Sequence, residues 1–214
     1  MIKVENIDIY GFDAAIRGMR NPMNSWSKSD SEYVVNWVSE EMVQMNYEVG
    51  ANDLDLMQRL YRAGTEHRKY LRMINVTMDI TCHHTWWGEF DTYKVGTVRN
   101  SCSKMHKIHV KEFTYDDFSH EGIDECGEDV QSVFRIVVNE LEYLRKMFNE
   151  THDKKYWRAI IELLPMGYNI KATVQMNYEV VFNIIRQREH HKLDEWVQFV
   201  DILKGLPYVK ELMS

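Results

Sequence analysis

Residues 73–81 alternate strictly between apolar and polar side chains. One side of this run carries Ile74, Val76, Met78 and Ile80, and the other carries Asn75, Thr77, Asp79 and Thr81. A period of two is the signature of a β-strand with one buried and one polar face. The run is therefore the clearest predicted strand of the chain, and residues 1–10 also predict the start of a sheet.

Helical spacing dominates most of the remaining chain. The second predicted helix begins at a capping Asn52 and ends before Gly64, and the fifth stops at Pro165. Residues 95–104, VGTVRNSCSK, are polar and predict a loop. Strands combined with helices give an α+β class. The predicted helices cover residues 12–19, 52–61, 84–94, a long stretch from 129, 156–164, 170–187 and 195–203.

Length and composition narrow the class of protein. A chain of 214 residues is long enough for one sizeable core, which predicts a single domain over residues 1–214. No long apolar run and no signal peptide are visible, and Cys82, Cys102 and Cys126 lack CxxC spacing. A cytoplasmic protein without membrane contact is expected. The net charge of −7 argues against a nucleic acid polymer as partner but leaves room for a small anionic ligand.

Two polar residues in the predicted helix 170–187 and its end require an explanation. At about 100° and 1.5 Å per residue, Asn177 and Arg188 lie within about 20° of one face and about 16 Å apart. A buried arginine needs a carboxylate or an anionic or polar ligand. Alternatively, Arg188 leaves the helix end and pairs with Asp194 or Glu195, while Asn177 caps the backbone.

The stretch LLPMGYNIKATVQMNYEVVFNIIRQR resembles a segment of the flavin-dependent thymidylate synthases. The family's Leu-Pro, Thr-Val-Asn and Phe-Leu-x-Leu-Arg elements fall in step without a gap at Leu164, Pro165, Thr173, Asn177, Phe182 and Arg188. One difference is that Gln175 and Met176 separate Val174 from Asn177. The resemblance implies that Asn177 contacts a flavin and that Arg188 binds the pyrimidine of deoxyuridine monophosphate (dUMP). The arginine that the family places two residues after the asparagine is Glu179 here.

Upstream, YRAGTEHRKYLRMINVTMDI is similar to the family segment that leads into a central strand. The Arg-His-Arg of the family corresponds to Thr92-Tyr93-Lys94, followed by a spacer of eight residues and Ser103. The resemblance assigns flavin binding to Tyr93, Lys94 and Thr97. It also assigns nucleotide contact to Glu89, which stands in place of a glutamine.

The segment after this triplet is rich in groups suited to a phosphate monoester. Gly96 allows close backbone approach, and the donors are Asn100, Ser101, Ser103, Lys104 and His106. The family's serine binds nucleotide phosphate. Its arginine two residues later is Met105 here, so the charge would come from Lys104 or His106. The alternative interpretation is an ordinary solvated turn.

The resemblance implies an antiparallel-rich sheet packed with long helices and the reductive methylation of dUMP. FAD is the implied cofactor, methylenetetrahydrofolate and NADPH are the implied co-substrates, and Arg188 is the implied catalytic residue. A homotetramer is expected. Two alternatives stay open: a nucleotide-binding homologue without flavin catalysis, and a related pyrimidine-nucleotide hydroxymethylase.

A metal site or a hydrolase triad is a weaker interpretation. The spacing of Cys82, His83, His84, Cys102, His106 and His109 fits no standard zinc or iron site, so no metal is expected. Ser103 and Cys102 have nearby histidines but lack the sequence context of a hydrolase nucleophile.

Overall fold

The computed structural model describes residues 1–39 and 42–214. Its strands are β1 (Lys3–Tyr10), β2 (Glu32–Ser39), β3 (Met42–Glu48), β4 (Asn75–His83), β5 (Thr97–Ser101) and β6 (Asn169–Asn177). Its α-helices are α1 (Phe12–Arg20), α2 (Ala51–Arg62), α3 (His84–Phe90), α4 (Lys104–Lys107), α5 (Glu121–Glu125), α6 (Glu128–Thr151), α7 (Lys154–Leu163), α8 (Tyr178–Arg188), α9 (Asp194–Lys204) and α10 (Val209–Met213).

Four strands form the main sheet in the order β1-β4-β6-β5, and β2 pairs with β3 as an antiparallel hairpin. The α+β class with an antiparallel sheet is confirmed. The strand predicted over residues 73–81 is confirmed as β4, where Val76, Met78 and Ile80 are fully buried. The hairpin lies within the first fifty residues, for which the sequence predicted only β1 and α1.

The loop predicted over residues 95–104 was wrong in part, because residues 97–101 form strand β5 at the edge of the sheet. The side chains of β5 are exposed or half-buried. An edge strand of this kind has no apolar face to bury, so it shows no alternation that a sequence could reveal.

The helix predicted over residues 170–187 was also wrong in its first half. Residues 169–177 form strand β6, and helix α8 begins only at Tyr178. In β6 every second residue is buried, and the residues between are exposed or half-buried. The buried residues are Ile170, Ala172, Val174 and Met176. Strand and helix follow each other without a glycine or proline between them. The period-two pattern of the strand was therefore read together with the helical pattern as a single helix with apolar residues on all sides.

The predicted cap of α2 was wrong as well. Helix α2 follows Gly50, and Asn52 lies inside its first turn. The free backbone N–H groups of Asn52 and Asp53 instead donate to the carboxylate of Asp30, at 2.9 and 3.1 Å. The predicted stop is confirmed, since Gly64 follows with a φ of +102°.

The other predicted helices are confirmed, with ends that differ by a few residues. They correspond to α1, α3, α6, α7 and α9. No helix among the described residues is long and apolar enough to cross a membrane.

The chain divides into two compact units. Unit 1 comprises Met1–Asn6, Met78–Lys94 and Arg99–Val174, and unit 2 comprises Ile7–Thr77, Val95–Val98 and Gln175–Ser214. The single domain over residues 1–214 stays a prediction. Unit 1 has a core under α6 and α7 formed by Ile108, Phe113, Phe118, Val138, Leu141, Leu144 and Ile160. Fully buried residues of unit 2 include Met57, Leu71, Phe182, Trp196 and Phe199.

Candidate functional site

Unit 1 contains a cavity of about 380 Å³ with many cationic groups in its wall. Strands β4 and β6 and the region of α4 supply most of the lining. The residues are Thr81, Cys102, Ser103, Lys104, Lys107, Ile108, Lys111, Asp116, Asp117, Tyr168, Asn169, Ile170 and Lys171. Four lysines against two aspartates give the lining a positive balance suited to an anion. We call this space the lysine cavity.

Carboxylates face two of these lysines. Lys111 Nζ lies 2.5 Å from Asp117 Oδ1, and Lys171 Nζ lies 3.2 Å from Asp79 Oδ2 and 3.7 Å from Glu5 Oε2. Hydrogen bonds from Thr173, Asn6 and Lys171 lower the pKa of Asp79 to about 2, so this carboxylate is ionised at neutral pH. The charges of Lys111 and Lys171 are therefore partly compensated within the protein.

Lys104 has an uncharged partner. Its Nζ lies 2.7 Å from Nε2 and 3.1 Å from Nδ1 of His84, the first residue of α3. Burial, with help from the positive charges of Lys104 and Arg99 and from the neighbouring His83, lowers the pKa of His84 to about 4. The imidazole is therefore neutral at pH 7. Burial and the charge of Arg99 also lower the pKa of Lys104.

Ser103 precedes Lys104 as the N-cap of α4. Its Oγ accepts a hydrogen bond from the backbone N–H of His106 at 3.2 Å. This bond fixes the first turn of α4, and therefore the backbone positions from which the side chains of Lys104 and Lys107 extend.

Unit 2 contains a second cavity, of about 470 Å³, with three arginines in its wall. We call it the arginine cavity. Its lining residues are Arg68, Arg72, Val95, Asn177, Glu179, Val180, Asn183 and Arg186. Arg68 Nη2 pairs with Glu179 Oε1 at 3.0 Å, whereas Glu179 Oε2 is buried and has no hydrogen-bond partner among the described residues. In that part of the chain, Arg72 and Arg186 form no ion pair.

Asn177 is held at the edge of the arginine cavity by two local hydrogen bonds. Its Oδ1 accepts from the backbone N–H of Val180 at 3.1 Å and so caps α8, and its backbone N–H donates to the carbonyl of Gly96 at 3.3 Å. Gly96 has a φ of +83°, and a Cβ there would lie 2.6 Å from Asn177 Nδ2. Glycine is thus required where the backbone meets the asparagine amide. The capping interpretation of Asn177 is confirmed.

The structure places three of the nine predicted site residues in a cavity wall: Ser103 and Lys104 in the lysine cavity and Asn177 in the arginine cavity. Arg188 is the last residue of α8, where its guanidinium carbon lies 4.6 Å from the ring centroid of Trp196. The inference that Asn177 and Arg188 lie on one helix face was wrong, because Asn177 lies outside α8 in extended conformation.

The remaining predicted residues lie outside both linings in the part of the chain that the structure describes. Glu89 is half-buried in α3, and Tyr93 is buried in the turn that follows. Lys94 and His106 are exposed. Thr97 is half-buried in β5, and its Oγ is buried without a hydrogen-bond partner among the described residues.

Sequence reasoning missed most of the charged wall of each cavity. The additional cations are Lys107, Lys111 and Lys171 in unit 1 and Arg68, Arg72 and Arg186 in unit 2. The four-residue spacing of Arg68 and Arg72 is a local pattern that could have indicated two neighbouring cations. No local pattern indicates Lys171, because its place in the cavity depends on how β6 pairs within the sheet. The described residues contain no group of three or more His, Cys, Asp or Glu that could hold a metal ion.

Comparison with known proteins identified the fold. No family model and no curated protein matches the sequence. Among solved structures, a crystal structure of thymidylate synthase X from Helicobacter pylori with FAD and dUMP aligns with a TM-score of 0.68 at 16% identity. The alignment covers 99% of this chain and 97% of that chain. A second structure of the flavin-dependent enzyme from the same organism, complexed with FAD and dUMP, aligns with a TM-score of 0.67 at 16% identity over 98% and 97%. The resemblance predicted from the sequence is thereby confirmed for the fold.

Proposed function

We propose that this chain is a flavin-dependent enzyme that reductively methylates dUMP, with FAD as cofactor and methylenetetrahydrofolate and NADPH as co-substrates. The observation that carries the proposal is the fold: it matches, over nearly the whole chain, two structures that contain FAD and dUMP. Because a fold can host several functions, the chemistry of the two cavities provides the second line of support.

The lysine cavity fits the phosphate of a nucleotide. Lys104 and Lys107 supply positive charge, and Ser103 supplies a hydroxyl beside them. Charge-assisted hydrogen bonds of this kind are about twice as strong as neutral ones, so a phosphate dianion matches the lining better than a neutral sugar would. Glu89, His106 and Arg188 are the further substrate contacts that we propose from the family resemblance.

The arginine cavity fits an anionic or amide-bearing group of FAD. Arg72 and Arg186 have charge available for a diphosphate, and Asn177 has an amide held in place by its helix cap. Bound there, FAD would supply the hydride of the reduction. Tyr93, Lys94 and Thr97 remain proposed flavin contacts, and the buried, unpartnered Oγ of Thr97 is a group that a ligand could satisfy.

Arg188 is the residue to which we assign the stabilisation of negative charge on the pyrimidine ring. A fixed cation at the site where charge develops lowers the barrier without any covalent contact with the base. Stacking on the buried indole of Trp196 restricts the guanidinium group, which favours that role. No protein nucleophile is required.

A nucleotide-binding homologue without flavin catalysis is the second candidate. Glu179 favours it, because this carboxylate places a negative charge in the arginine cavity and pairs with one of its three arginines. That pairing reduces the charge available to the FAD phosphates.

The test begins with the visible spectrum of the purified protein with added FAD, followed by titration with dUMP. We expect bound flavin whose absorbance shifts on addition of dUMP, and thymidylate as the product by mass spectrometry once both co-substrates are present. Arg188→Ala should abolish turnover, whereas the exposed Arg158→Ala on α7 should not. Binding of dUMP without FAD would establish the second candidate, and a hydroxymethylated product would indicate the related hydroxymethylase.

The homotetramer and the cytoplasmic location also belong to this proposal. Light scattering coupled to size-exclusion chromatography at micromolar concentration should give a mass near four times the 25.6 kDa of one chain. A monomer would contradict a synthase whose sites are shared between subunits.

A further inference from the structure

We propose that His84 is a positioning residue that holds the ammonium group of Lys104 in the lysine cavity, with its charge left available for an anionic ligand. The proposal rests on the proposed nucleotide-binding function, and it identifies Lys104 rather than His106 as the principal cation of that site.

The contact geometry indicates how His84 holds Lys104. Lys104 Nζ lies within 3.1 Å of both ring nitrogens. A neutral imidazole has one ring nitrogen with a free lone pair, and that nitrogen can accept a hydrogen bond from the ammonium group, which only donates. The contact therefore fixes the position of the ammonium group without adding an opposite charge.

The partners of the other lysines show what is unusual about this arrangement. A carboxylate faces Lys111 at 2.5 Å and another faces Lys171 at 3.2 Å, so each charge is already opposed. His84 orients Lys104 without opposing its charge. Lys107 is exposed and forms no ion pair among the described residues, so nothing in that part of the chain fixes its direction.

The surroundings of His84 keep the imidazole neutral. The charged or titratable groups that face it are Lys104, Arg99 and His83, and the ring of Tyr168 lies 6.4 Å away on one side. Arg99 is itself held by two bonds to Asp91, at 2.6 and 2.7 Å, and lies 4.1 Å over the ring of Trp87. Protonated His84 would repel Lys104. Burial and the nearby positive charges hold the pKa of His84 at about 4, which prevents this at neutral pH.

The experiment is calorimetric titration of the whole chain with inorganic phosphate and, separately, with dUMP at pH 8. His84→Asp introduces a carboxylate beside Lys104, and we expect it to weaken binding of both ligands by about tenfold or more, as Lys104→Met should. His84→Gln keeps a neutral polar partner and should stay within about threefold of wild type. The matched control is Thr85→Asp, the same charge at the exposed next residue, with an expected change of less than about threefold.

Three outcomes would overturn the proposal: equal weakening by H84D and T85D, no loss of phosphate affinity in Lys104→Met, or a wild-type protein that binds neither ligand. Thermal melting of each variant separates binding from folding, and His84→Glu replaces H84D if that variant does not fold. A protein that shows the expected pattern with phosphate but ignores FAD and dUMP would refute the proposed function and support the role of His84. One that binds FAD and dUMP with no dependence on His84 or Lys104 would do the reverse.

Discussion

Asp53 offers the sharpest prediction about stability, because its carboxylate is fully buried and organises the loop before the hairpin. Its Oδ1 accepts from Arg20 Nε at 2.5 Å. Its Oδ2 accepts from the hydroxyls of Ser29 and Ser31, at 2.7 and 2.6 Å, and from the backbone N–H groups of Asp30 and Ser31, both at 3.1 Å. Five donors thus converge on one side chain of α2.

Asp53→Asn keeps the size of the side chain, removes the charge and replaces one accepting oxygen with an NH₂ group. Arg20 has only 3% of its surface exposed and would become a buried charge without a carboxylate. Breaking a buried pair in this way costs about 3–5 kcal/mol. At roughly 2–4 °C per kcal/mol for a chain of this size, we expect the melting temperature at pH 7 to fall by about 6–20 °C.

The pH dependence provides an independent check. Burial by itself would raise the pKa of Asp53, but hydrogen bonds from Ser31, Ser29 and Arg20 outweigh it and hold the pKa below its ordinary value. Because the folded pKa lies below the unfolded one, the carboxylate stabilises the fold above about pH 4 and loses this effect as the pH falls through the folded pKa. The melting temperature of Asp53→Asn should therefore fall less on acidification than that of wild type.

The assay is thermal unfolding followed by circular dichroism from pH 7 to pH 3. Asp55→Asn is the matched control, since Asp55 lies in the same helix and pairs with Arg59 at 2.9 Å, but both side chains are more than 60% exposed. It should change stability by less than about 1 kcal/mol. Equal melting temperatures for the two variants would refute the view that Asp53 anchors this loop.

Three further predictions concern the elements around the cavities. Asn177→Ala removes the N-cap bond to Val180 and should lower stability by about 1 kcal/mol, whereas Asn177→Asp should retain most of it; urea unfolding decides, and equal losses would contradict the capping role. Gly96→Ala forces a side chain into a positive φ against the Asn177 amide and should cost about 1–3 kcal/mol in the same assay, so an unchanged midpoint would contradict the contact. Between about pH 4 and pH 2 the melting temperature of Asp79→Asn should fall less than that of wild type, because the folded pKa of Asp79, about 2, lies below its unfolded value. If the melting temperatures of variant and wild type fall equally with pH, the Asp79 carboxylate does not contribute to stability.

Local pattern predicted the elements that carry their own periodicity. Strand β4 and helices α1, α6, α7 and α9 appear close to where the spacing of apolar residues placed them. Each buries one face against the rest of the protein, so its apolar residues recur in the sequence at the period of a strand or a helix. Strand β5 lacked such a face, and β6 ran into α8 without a breaking residue, so both were misassigned.

Three of the predicted site residues line a cavity, and these were predicted from motifs and side-chain chemistry, not from the periodicity of apolar residues. The family resemblance pointed to Ser103 and Asn177, and the suitability of its ammonium group for a phosphate pointed to Lys104; the structure places each of the three in a cavity wall. His84 was considered only as a possible metal ligand. Its close contact with Lys104 joins residues twenty positions apart, and no local pattern predicts such a contact.

The sequence by itself determined the α+β class, the buried face of β4, the long amphipathic helix α6 and the resemblance to the thymidylate synthase fold, because each depends on neighbouring residues or on the order of short motifs. Only the tertiary structure decided which cations share a cavity and which of them a carboxylate already opposes. Lys104 and Lys171 line the same cavity because β6 lies within the main sheet, and the pairing of strands distant in the chain is set by packing of the whole fold. The charge available to a ligand is therefore a property of the folded chain.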